Sequence, residues 1–560
     1  MAMGYRETVT GVSVPEELGG CPWNPVMAEI AMRYLIVILL VLVTTSGWAS
    51  ASSESVGAGG KHIQDRVAQL IEKLGDDEYR VREQAQEELA RIGFAAYDQL
   101  LAATKHEDLE IASRARYLVR LIRYEWTRAD DPEPVRELLE DYEFQDFGQK
   151  AVRIEKLAYL PDGMGVPALC RVVRFEQSEL LAKYAATRLI NREPPGEVAR
   201  AEWLKSLREH LGQGNTTAAR WLLTYVRLRE KPEAALAEWR ELVAAEHEVM
   251  ERTPNLSSPS IVAALVYRQA AAEAALGRRD EAERTAEKAR TLYPADRELQ
   301  QQAHLETAMA LQRQGWFAWA AAEYELVSES GWSKYAFSAR SRYAEMLHDQ
   351  GQHLKGAEVL KKLLQPEDAR LRRIIDSARE SLRPLHARMN YFHACHWKDQ
   401  GNTEEYRQYL DKALEADPNE LDTLIACYQL PDQTPEYRDK IVAAVRRATE
   451  ALQKEVEAAE SPMDQASAYN QYAWLVGNTE GDTDLALKYA HRAVELVPDS
   501  GAYLDTLAHV YYGRGDYAKA VEYQEQAAQA DPHSGLIRSK LELFRKTLEA
   551  QQQEQEKKEP

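Results

Sequence analysis

The sequence predicts an all-α protein built as a solenoid of helical hairpins, and three observations carry that prediction. From Ile63 to about Phe544 apolar residues return at three- and four-residue steps, the period of one buried stripe on a helix. No stretch alternates β-branched or aromatic residues with polar ones between turn residues, as a half-buried strand would. Along the second half, small residues and prolines recur at constant spacing, the signature of stacked repeats.

Composition narrows what such a solenoid can bind. The chain has 560 residues, 45% of them apolar, enough to bury real cores. Lysine and arginine number 70 against 90 acidic residues, a net charge of −20, with no clustered basic run. Phosphate neutralisation dominates affinity for nucleic acid, so that class of partner is disfavoured. Cys21, Cys170, Cys395 and Cys427 form no C-x-x-C pair, which removes the usual zinc and dithiol motifs. No metal and no cofactor is expected, and the fold must stand on packing.

The elements follow in chain order. Arg33, the apolar run Leu35–Val43 and the small residues Ala49-Ser50-Ala51 have the layout of a secretory signal, with cleavage after Ala51. On this reading residues 1–31 are an upstream extension, the start is Met27 or Met32, and residues 32–51 are the signal. The protein is then exported to the periplasm or cell envelope. An uncleaved anchor is the alternative, and it would supply the one membrane contact. Ser52–Gly60 is a flexible lead-in.

Residues 61–211 read as paired helices. Val81, Ala85 and Leu89 mark one helix that Gly93 closes, and Ile111 and Ala115 repeat the first two positions 30 residues on. Val166–Leu169 with Leu180–Leu189 is a possible third copy. Asp77 and Asp108 are placed to cap the second helix of each pair by accepting its free N–H groups. This segment is similar to the HEAT-like hairpins of exported bacterial proteins.

In the second half Gly515, Ala520, Ala527 and Pro532 follow at steps of five, seven and five residues. The spacing recurs at Gly481, Ala486, Ala493 and Pro498, at Gly401, Tyr406, Ala413 and Pro418, and at Gly277, Ala282, Ala289 and Pro294. Degenerate copies run through Gly315, Ala320 and Val327, through Gly351, Ala357 and Leu364, and through Glu230, Ala235 and Leu242. The glycine turns the chain between two antiparallel helices and the alanines let helices approach closely. The proline, with no N–H to donate, stops the second helix. Residues 216–545 thereby resemble the tetratricopeptide repeat (TPR) family, with Tyr503–Pro532 as the best copy. Tyr406 stands where that family has a small residue, and residues 419–466 read as an irregular insert with a long helix over Glu436–Glu460. A polar tail, 546–560, is expected to fray.

No phosphate loop, nucleophile elbow or H-E-x-x-H motif occurs, so no residue is given a catalytic role and the chain is read as a non-enzyme. Glu246-His247-Glu248 reads as a solvated helix face, and Asp130-Asp131 as a turn. His386, His393, Cys395 and His396 make the most suggestive cluster. Imidazoles three apart on a helix share a face and can take a metal. A metal-dependent enzyme using them is the rival reading, and a self-assembling envelope protein is a second. The TPR resemblance implies a groove lined by the first helix of each repeat, here Tyr267, Leu305, Met309, Arg313, Ser341, Glu345, Tyr391, Lys398, Gln471, Asp505, His509 and Tyr512. It implies a protein or peptide partner held there. The acidic Glu345 and Asp505 oppose the acidic tails that some family members clamp.

Overall fold

The computed structural model describes residues 57–121, 126–160, 163–194, 196–212, 214–293, 296–331, 333–366, 369, 372–373, 382–498 and 500–556. The expected leader at 1–51 lies outside them. Among the described residues the chain is all helix and turn, with no strand. Packing divides it into two units, one holding residues up to 193 with 200–293, the other 194–199 with the chain from 294 onward.

The N-terminal unit comprises thirteen described α-helices: α1 (Gly57–Glu72), α2 (Tyr79–Ile92), α3 (Tyr97–Ala103), α4 (Leu109–Leu121), α5 (Glu133–Leu139), α6 (Phe147–Ala158), α7 (Val166–Phe175), α8 (Glu179–Asn191), α9 (Glu197–Leu211, whose first turn belongs to the other unit), α10 (Thr217–Glu230), α11 (Pro232–Arg252), α12 (Pro259–Ala275) and α13 (Arg279–Arg290). The first four close over Leu70, Leu74, Leu89, Leu100, Ile111 and Leu118. Asp108 caps α4 as expected, its Oδ1 accepting from the N–H of Glu110 at 2.8 Å and of Ile111 at 3.3 Å. α2 has no such cap: its N-cap position is Glu78, no side chain accepts from its first turn, and Asp77 does not serve it; a 3-10 turn over Lys73–Gly75 precedes, and Asp76 Oδ1 accepts the Glu78 N–H at 2.9 Å ahead of the helix.

Buried ion pairs tie this unit together. Glu246, expected on a solvated face, is instead 2% exposed and pairs at 2.8 Å with Lys183, itself fully buried; α11 turns that carboxylate inward because the cation waits there. Asp131 does sit in a turn, and its carboxylate also binds Arg171 at 2.6 Å in the interior. The pair α12–α13, built on the Gly277 repeat, packs in this unit, with α12 against α11 and α8 and Arg268 donating to the Ile190 carbonyl at 3.2 Å. The division by packing therefore falls after Tyr293, inside the stretch that repeat spacing alone reads as one superhelix.

The C-terminal unit continues with α14 (Arg297–Arg313), α15 (Phe317–Glu329), α16 (Lys334–Asp349), α17 (His353–Leu364), α18 (Arg383–Asp399), α19 (Thr403–Ala416), α20 (Leu421–Tyr428), α21 (Pro435–Ala458), α22 (Pro462–Asn478), α23 (Thr483–Leu496), α24 (Gly501–Gly513), α25 (Tyr517–Ala530) and α26 (Gly535–Glu556). Each even-numbered helix up to α24 pairs with the odd one that follows it. The repeat glycines do what their spacing requires: Gly315, Gly351, Gly401 and Gly515 all take φ between 71° and 80°, a conformation that a side chain resists. Ala320, Ala357, Ala486, Ala520, Ala413, Ala493 and Ala527 are fully buried at the helix contacts. Tyr406, where the small residue is missing, stays partly exposed at the edge of the core.

The stretch 419–466 forms a further helix pair, α20–α21. Its turn has no glycine, and Asp432 takes the left-handed conformation (φ 54°), which aspartate tolerates better than most residues. The Gln433 amide then donates to the carbonyls of Cys427, Tyr428 and Leu430 at 2.7–3.0 Å and holds the turn shut. The tail does not fray where the sequence suggests: α26 runs unbroken to Glu556, and residues 557–560 lie outside the described part. Its continuation past Ala550 is almost all Gln and Glu, good helix formers, so the anchored first turns propagate.

Candidate functional site

Within the C-terminal unit, successive first helices pack on one another as well as on their own partners: α14 on α16, α18 on α20, α20 on α22, α22 on α24. Side chains from these helices form one linked layer. At its centre is Arg388 on α18, 2% exposed, a residue the repeat pattern did not single out. Its guanidinium binds Glu345 of α16 through two bonds of 2.8 Å, Asp422 of α20 at 2.5 Å, and Glu420 at 3.5 Å. Asp422 passes the chain on, accepting from the Trp474 indole of α22 at 2.8 Å. The Trp474 ring meets His509 of α24 edge-on at 4.8 Å, and His509 Nδ1 lies 2.7 Å from Asn478 Oδ1.

Three carboxylates around one guanidinium leave this layer with an acidic excess. Burial, reinforced by the neighbouring Asp422 charge, pushes the Glu420 carboxyl up to about 7. The same carboxyl caps α20 by accepting the Thr423 N–H at 2.6 Å. Burial holds His509 neutral, down to about 4, and its Nε2 has no hydrogen-bond partner.

The twelve residues expected to line a groove are placed as follows. Tyr267, on α12, is buried in the N-terminal unit, whereas the others belong to the C-terminal unit. Leu305, Ser341, Tyr391, Asp505 and His509 are buried on α14, α16, α18 and α24. Met309, Arg313, Glu345, Gln471 and Tyr512 are partly exposed, and Lys398 is exposed, its ammonium 5.7 Å from the Tyr406 ring. Asp505 accepts from the Gln524 amide of α25 at 2.6 Å, and what covers His509 and Tyr512 is the chain's own last helix. Phe544 of α26 stacks on Tyr512 at 4.3 Å and meets His509 edge-on at 5.1 Å, and Thr547 Oγ1 lies 3.1 Å from the Tyr512 hydroxyl.

The histidine cluster is arranged differently from what a metal site needs. His393 stacks on Tyr409 at 4.8 Å and His396 leans on Trp397 at 5.1 Å. Among the described residues no group of three or more His, Cys, Asp or Glu is placed to hold a metal ion. The close histidine pair is another one, His348 and His353, with Nδ1 atoms 2.9 Å apart and His353 Nε2 3.2 Å from Asp399. No sequence spacing pointed to it, because the two face each other across a turn.

Comparison with known proteins agrees with the repeat at the end of the chain. Residues 501–534, which are α24, α25 and the turn after them, match the family described as the tetratricopeptide repeat. The chain thus carries a TPR repeat at that position. No curated protein sequence matches the chain. Among solved structures it is similar to yeast Tom70 (12% identity, 88% of this chain and 95% of that one, TM-score 0.28). It is also similar to the P58(IPK) TPR domain (16%, 59% and 99%, TM-score 0.18). A third is the Naa15/Naa10 structure bound to HypK-THB (15%, 73% and 65%, TM-score 0.19), where this chain spans 65% of the matched chain's length. Among the described residues no helix is long and apolar enough to cross a membrane.

Proposed function

We propose that the protein is a non-enzymatic scaffold that binds another protein along the layer of first helices in its C-terminal unit. The observation that carries this is the continuous face from Leu305 to Tyr512, where rings, apolar groups and acids from six successive repeats meet. A solenoid of helix pairs offers such an extended face as its natural recognition surface. The signal-like order of Arg33, Leu35–Val43 and Ala49–Ala51 supports a location in the periplasm or cell envelope. The HEAT-like spacing of 61–211 supports a second helical-repeat region.

The test is capture from a native envelope extract with the chain from Ser52 onward, followed by crosslinking. One protein recovered in near-stoichiometric amount through the first-helix face is the expected result. Recovery of nothing except the chain itself contradicts the proposal and favours self-assembly.

A further inference from the structure

The binding face in this structure is occupied, and the occupant describes the partner. The turn before α26 is clasped to a part of the solenoid 185 residues earlier: Ser534 Oγ donates to Asp349 Oδ1 at 2.6 Å, the Gly535 N–H reaches Asp349 Oδ2 at 3.3 Å, and Gln350 Nε2 donates to the His533 carbonyl at 3.1 Å. Two glycines leave room for this. A Cβ on Gly535 would lie 2.5 Å from the Asp349 carbonyl oxygen, and one on Gly315 would lie 2.6 Å from His533 Nδ1. From the clasp, α26 lays Ile537 against Leu504 and Ala527, then Phe544 against Tyr512 and His509. On either side of Phe544 the hold is slighter: Leu543 is 45% exposed, the Arg545–Glu525 pair is half in water, where such pairs add little, and Thr547 Oγ1 lies 3.1 Å from the Tyr512 hydroxyl.

We propose that α26 is a removable stand-in, and that the partner is an amphipathic helix bearing an aromatic residue for the Tyr512–His509 seat. This deepens the scaffold reading and rests on it. Such recognition of a helix through a few apolar anchors is a recurring mode of peptide binding. The unpartnered, buried His509 Nε2 beside Phe544 shows that α26 does not satisfy the seat it fills. An occupant tethered to the same chain has a local concentration of ~1 mM, so it screens out weak ligands and yields to better ones.

The experiment uses the full chain and a labelled peptide of residues 535–550. Binding is measured to the wild type and to a variant carrying Asp349→Ala and Phe544→Ala, which loosens the clasp and vacates the seat. The variant is expected to bind the peptide at least ~10-fold more tightly than the wild type. A peptide with Phe544→Ala is expected to lose most of that affinity. Equal affinity for both proteins, or no loss with the altered peptide, overturns the proposal.

Hydrogen exchange on the wild type guards against a variant that misfolds. Amides of α26 are expected to exchange faster than those of α24 and α25, and faster still with excess peptide. Protection of α26 equal to that of α24, unchanged by peptide, overturns the proposal by itself. The scaffold reading fails separately: it falls if no envelope protein crosslinks to the first-helix face. A partner that crosslinks at Lys398 while α26 stays protected sinks the stand-in alone.

Discussion

At Ala520 the last two repeat helices touch with no space between them, because the residue is fully buried and its methyl group is all the contact admits. Ala520→Leu is expected to destabilise the C-terminal unit by ~1–3 kcal/mol through overpacking. A melting curve identical to that of the wild type would show that this contact is not close. The Arg388 cluster makes a second prediction at this scale. A buried carboxyl whose folded pKa stands near 7, against an ordinary 4.5, binds its proton more tightly folded than unfolded. Its contribution is therefore present below pH ~4.5 and is lost as pH rises through ~7, by at most ~3 kcal/mol. Glu420→Gln keeps the cap on Thr423 and removes the titration, so the variant should gain stability relative to wild type between pH 5 and 8. His509, held neutral by burial, acts with the opposite sign below pH ~6.5 and is common to both proteins, so the difference between them isolates Glu420. A difference constant with pH contradicts the assignment. The repeat alanines were legible because small residues at fixed steps have one geometric use. Arg388 was not, since a lone arginine at a core position has no period, and its three carboxylates come from helices far apart in sequence.

Among elements, the turns carry the clearest link from sequence to structure. Gly515 sits at φ 80° with open space where a Cβ would go, so substitution there tests backbone conformation alone. Gly515→Ala should cost ~1–2 kcal/mol, and Gly515→Asn less, because asparagine tolerates the left-handed region. Urea unfolding of the two variants checks the order; equal stability of all three would remove the conformational argument. The α20–α21 turn shows the limit of the same logic. There Asp432 does the glycine's work, and a search for glycine spacing passes over a helix pair that is otherwise regular. The last helix was hidden for another reason. Its second half is polar and looks solvated, and nothing local to residues 535–556 shows that Asp349 and Tyr512 wait for it.

For the molecule as a whole, the helical character and repeat phase could be read from the chain. The division after Tyr293 and the covering of His509 and Tyr512 could not. Periodicity reports which face of a helix is apolar. It does not report which distant segment lies on that face, because long-range packing leaves no period. The central claim is that the first-helix face of the C-terminal unit binds a protein. A photo-crosslinking residue at Lys398, exposed on that face, compared with one at Glu415 on the second helix α19, tests it most directly in native envelope extract. The account predicts one crosslinked protein from position 398 and little from position 415. Equal yields from both positions, or none from 398, would contradict it.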